Sequence, residues 1–213
     1  MPLGESGGNL FYAGFGISPT GAISAPNVQS DGARTSDWLT RSLDEGAADL
    51  TSLVLPAVAT LYVVRMPLLG PISITDVSVY ISALSSAGLT DCYLGVWTSA
   101  GTKVGQTADL SSFWESTGGT GLTPRALSGG PYSVSPLAPN DFLWGGIYNG
   151  TSAGTEPAFF AGNNASAPGF VNGNTAAARS RFAHVAIANT STLPNITPSG
   201  LTPSATQFWM ALS

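Results

Sequence analysis

Short runs in which apolar and polar residues alternate, each cut off by proline or glycine before it reaches helix length, are what most constrains this chain. Val77, Val79 and Ile81 alternate with Ser78, Tyr80 and Ser82, and Ile72 and Ile74 alternate with Ser73 and Thr75. A period of two sends successive side chains to opposite faces of a strand, so each run reads as a half-buried β-strand. Leu61-Tyr62-Val63-Val64-Arg65-Met66 is rich in strand-forming residues and stops at Pro67. Between Ile74 and Val77 the apolar parity slips by one, which predicts a bulge or bend near Thr75-Asp76. Further strands are expected at 92–98, 103–108, 132–134, 141–148, 158–161, 181–189 and 207–212. About eight short strands without helix-length periods between them predict an all-β fold, an antiparallel β-sandwich of jelly-roll-like type.

Composition agrees. Only 9 % of the 213 residues are charged, against about 25 % in an average soluble domain, while 26 glycines and 15 prolines supply turns. The hydrophobic fraction, 43 %, is that of a folded chain and unlike that of a disordered one. The net charge is −5, and the seven basic residues are scattered from Arg34 to Arg181. With no basic run or stripe, no nucleic-acid partner is expected. The most apolar stretch, 53–64, is broken by Pro56 and Thr60 and falls short of the roughly 20 residues that span a bilayer, so no membrane insertion is expected. The first residues lack the basic and apolar regions of a signal peptide, which predicts synthesis in a cytoplasm. Cys92, the one cysteine, cannot form an intramolecular disulfide and reads as a buried, inert thiol. Four matches to the N-glycosylation pattern, at Asn149, Asn164, Asn189 and Asn195, carry no argument in a chain so rich in Ser and Thr.

Residues 1–40 hold Gly, Ser, Ala, Pro and isolated aromatics without a sustained period, and read as an extended N-terminal arm preceding a sandwich domain over 41–213. Leu10, Phe11, Tyr12 and Phe15 form its expected anchor cluster for another protein chain. A short helix is expected over 37–50, capped by Ser36 or Asp37 and limited by Gly46. A long loop over 110–130 holds Trp114, which reads as exposed or interfacial, a candidate contact for a surface or a glycan. The stretch 162–178, GNNASAPGFVNGNTAAA, is the most loop-like interior segment, long enough to suggest a contact role.

Catalytic patterns are weak. Gly150-Thr151-Ser152-Ala153-Gly154 matches the G-x-S-x-G elbow, whose serine needs a strand before it and a helix after it. Here Thr155-Glu156-Pro157 follows, with no helical pattern. His184, the one histidine, alternates with Phe182 and Ala186 and reads as an imidazole packed on a sheet. One His and one Cys do not make a zinc site. Asp44, Glu45 and Asp49 cluster but read as a solvated face. Glu115 and Asp141 carry no positive sign of a glycosidase pair. The chain is expected to need no cofactor and not to be an enzyme.

The run Ile74-Thr75-Asp76-Val77-Ser78-Val79-Tyr80, then Tyr93-Leu94-Gly95-Val96-Trp97-Thr98-Ser99-Ala100-Gly101 and Val104-Gly105-Gln106-Thr107-Ala108, resembles the β-sandwich modules of bacteriophage tail proteins. Pro131-Tyr132-Ser133-Val134 and Asp141-Phe142-Leu143-Trp144-Gly145-Gly146-Ile147-Tyr148 resemble their closing strands, and the Ala/Thr/Gly-rich style resembles phages of actinobacteria. The resemblance covers roughly residues 60–150 and the last strand. It implies a virion component made in the host cytoplasm: a minor tail or receptor-binding-type protein, or else a capsid decoration protein or head fibre. Its implied partners are other virion proteins, further copies of itself and a host-surface glycan. A free carbohydrate-binding module and a glycan hydrolase are the readings from other classes.

Overall fold

The computed structural model describes residues 39–213 except 43–47, 55, 87, 116–119, 139–140, 153, 163–180, 205 and 207; before residue 39 it describes the backbone of four short strands. The side chains of 41, 48–54 and 160–162 are likewise not described. The chain divides into two compact units, Met1–Trp38 and Leu39–Ser213.

In the first unit, β1 (Gly4–Ser6), β2 (Asn9–Tyr12), β3 (Phe15–Ile17) and β4 (Ile23–Ser24) pair in that order as an antiparallel meander. These residues are therefore not one extended segment. The signal was present: Gly7-Gly8 separates β1 from β2, and Gly-Gly between two short runs is a hairpin dipeptide.

The second unit is a sandwich, and among the described residues every ladder is antiparallel. Its first sheet has the order β11-β10-β14-β7-β16-β17, built from β7 (Thr60–Pro67), β10 (Thr90–Thr98), β11 (Lys103–Gln106), β14 (Phe142–Thr151), β16 (Phe182–Ala186) and β17 (Thr202–Pro203). The second has the order β5-β18-β9-β15-β6, built from β5 (Thr40–Arg41), β6 (Ala48–Val54), β9 (Asp76–Ala83), β15 (Ala158–Gly162) and β18 (Met210–Leu212). β12 (Gly121–Ala126) also pairs with β9. β8 (Ile72–Ile74) and β13 (Tyr132–Val134) form a separate two-stranded ladder.

Three expectations are corrected. Within 37–50 the described residues form β5 and the start of β6, not a helix. The parity slip near Thr75-Asp76 is neither bulge nor bend within one strand: β8 and β9 belong to different sheets, so each obeys its own alternation. The loop over 110–130 contains a one-turn helix, α1 (Ser111–Glu115), and β12. Pro124 lies in β12, whose only strand partner among the described residues is β9, an edge position where its missing N–H is tolerated.

Register sorts the first sheet into two faces. One carries Val64, Met66, Leu94, Val96, Leu143, Ile147 and Phe182, all buried. It meets the second sheet, since a Cβ on Gly145 would run into both Met66 and Met210 Sδ. The other face carries Leu61, Val63, Tyr93, Trp97, Trp144, Tyr148 and Ala183, which form one core cluster with Leu193, Ile196 and Leu201. Those three residues belong to the segment 187–201, laid across this face as a strap. Trp97 Nε1 donates to Pro194 O at 2.8 Å, Leu193 N to Gln106 Oε1 at 2.8 Å, Lys103 N to Asn195 Oδ1 at 2.8 Å, and Ile196 N to Gly101 O at 2.9 Å. Gly95 and Gly146 stand opposite each other across the ladder. A Cβ on either would lie 2.5 Å from Trp97 Cη2 or 2.9 Å from its Cζ3, so the paired glycines form the slot that the indole fills.

Gly146→Ala, whose methyl would also meet Leu61 Cδ1 at 3.0 Å and Tyr62 O at 3.1 Å, should therefore cost about 1–3 kcal/mol. Trp97→Phe, which strands Pro194 O, should cost about 1–2 kcal/mol. Urea unfolding at neutral pH measures both. Losses below about 0.5 kcal/mol, the range of ordinary surface changes, would contradict a packed strap.

Candidate functional site

The structure does not place Trp114 on the surface. α1 follows Asp109, whose Oδ1 accepts from Cys92 N at 3.0 Å and from Ser111 N at 2.9 Å. Leu110 and Trp114, four residues apart, share the inward side of the turn; both are buried, and Trp114 meets Phe159 edge-on at 5.3 Å. That spacing was the missed signal, because one helical turn converts i and i+4 into a single face. A glycan contact through Trp114 is thereby ruled out in this fold.

Leu10, Phe11, Tyr12 and Phe15 lie in β2 and β3. Leu10 pairs with Ile17, Phe11 with Gly16 and Tyr12 with Phe15; their side chains lie outside the described residues. The loop-like stretch 162–178 also lies outside them from residue 163 on.

Ser152 and Cys92 are engaged structurally, and Ser152 stands apart from His184. Ser152 Oγ donates to Gly154 O at 2.9 Å, and the chain continues into β15 rather than a helix. His184 pairs with Tyr62, which pairs with Ile147. Ser152 lies five residues beyond Ile147, roughly 16 Å along the strand direction at about 3.3 Å per residue. Burial pushes the Cys92 thiol up to about 12, with Asp109 and Asp91 adding to the rise against hydrogen bonds that oppose it.

What the fold does assemble is one end of the sandwich. Asp141 joins two loops there: Oδ2 accepts from Leu137 N and Oδ1 from Phe142 N, each at 2.8 Å, while its backbone O accepts from Leu68 N at 2.9 Å. Ser99 adds a side-chain hydrogen bond. Burial alone would raise the Asp141 carboxyl, but the bonds from Leu137, Ser99 and Phe142 outweigh it and hold the pKa below the usual range. Beside these anchors, Leu69 is 92 % exposed and Leu137 82 % exposed. The loop residues Leu68-Leu69-Gly70-Pro71 and Ser135-Pro136-Leu137-Ala138 carry no charge.

At the same end, Arg65 on β7 lies across the aromatic residues of β14. Its Cζ is 4.3 Å from the Phe142 centroid and 4.8 Å from that of Trp144, and the two rings meet edge-on at 5.2 Å. Burial lowers the Arg65 pKa from its ordinary value. Sequence reasoning passed over this group. An arginine between Val64 and Met66 in an otherwise apolar strand, facing an F-x-W alternation, was the available signal.

No family model matches the chain, and neither a curated protein nor a solved structure matches it.

The anchoring role of Asp141 has a pH signature. Asp141→Ala should lose about 1–2 kcal/mol at neutral pH, because two backbone N–H groups lose their acceptor; Asp141 is only half-buried, so water screens part of the effect. A depressed carboxylate pKa contributes stability that is complete above the unfolded value, about 4, and disappears as pH falls through the folded value. The gap between wild type and variant should thus close below about pH 4. Urea melts across pH measure it, and a constant gap would contradict the assignment.

Proposed function

We propose that this chain is a non-enzymatic structural protein of a phage particle, a minor tail or surface accessory protein whose sandwich carries a contact surface outward. The observation that carries the reading is the pinned end of the sandwich. Exposing two leucines almost fully costs apolar hydration that ordinary folding avoids. Tying their loops to one aspartate fixes where they stand, which suits docking onto a fixed neighbour and spares the entropy of ordering on contact. The resemblance of 60–150 to tail-protein sandwiches supplies the kind of particle. The structural use of Ser152 and Cys92 agrees with a carrier rather than a catalyst. The first unit is the second contact, with Leu10, Phe11, Tyr12 and Phe15 as its anchors on another chain of the particle.

Two measurements test this. The double variant Leu69→Asp, Leu137→Asp should keep its unfolding free energy to within about 0.5 kcal/mol yet fail to enter particles in a complementation assay; wild-type incorporation would sink the docking role of this end. Removing residues 1–35 should leave a folded sandwich, since the second compact unit begins at Leu39, that also fails to assemble. A truncated chain that assembles normally would remove the first unit from the contact. On the enzymatic side, any hydrolytic turnover that Ser152→Ala or His184→Ala lowered by more than about a hundredfold, with fold intact, would overturn the reading.

A further inference from the structure

We draw no further inference here: the strongest candidate, the uncharged end of the sandwich where the β8–β13 ladder runs into the loops of Leu69 and Leu137, belongs to the contact surface already described, and nothing in the structure shows what covers it.

Discussion

The structure depends on how the outer face of the first sheet is closed. A six-stranded sheet with Tyr93, Trp97, Trp144 and Tyr148 on that face cannot leave it in water, and the second sheet covers only the other side. The strap 187–201 closes it with very little regular structure, through Leu193, Ile196 and Leu201. The indole of Trp97 is the fastener: it sinks into the slot over Gly95 and Gly146 while its N–H reaches Pro194 O. Hydrogen bonds to Gln106 and Gly101 then satisfy the backbone N–H groups of the buried strap residues Leu193 and Ile196, and Lys103 N–H donates to the exposed Asn195 side chain.

A sheet packed on both faces leaves its loop ends as the natural place for recognition, because the strands fix loop positions while contributing no exposed face of their own. At one such end Asp141 spends both carboxylate oxygens on backbone N–H groups, and the loops it joins hold Leu69 and Leu137 in the open. The same strands bring Arg65 over Phe142 and Trp144. Low overall charge makes these few ionic groups more telling: a chain that builds its surface from hydroxyls, amides and backbone uses an arginine where its guanidinium has a particular neighbour.

Much of the fold was legible because the sandwich obeys alternation. β7, β9, β10, β14 and β15 all lie where period two and β-branched residues placed them. What was missed has physical causes. Ala48–Val54 mixes Asp49, Thr51 and Ser52 with Leu50, Leu53 and Val54 so that helix and strand periods both fit a short window, and pairing with β15 decides between them. The end of β16 was drawn too far because Ile187 continues the apolar pattern; its apolar side chain instead packs at the rim of the strap. Gly95 and Gly146 fall inside expected strands, but their role, to make room for an indole, is visible only once the two stand side by side. Trp114 was read from its Ser- and Gly-rich neighbours, whereas its burial follows from Leu110 four residues earlier. The Arg65 platform escaped notice for a related reason: its members are far apart in sequence and meet only through the β7–β14 register.

Native-state hydrogen exchange at the strap tests the account most directly. If the strap is an integral wall of the core, the amides of Leu193 and Ile196 should exchange with protection close to that of Ile147 in the centre of β14, since opening them requires breaking the same core. Exchange of Leu193 and Ile196 at the rate of an exposed loop, with Ile147 still protected, would contradict it and leave the outer face of the sheet without its cover.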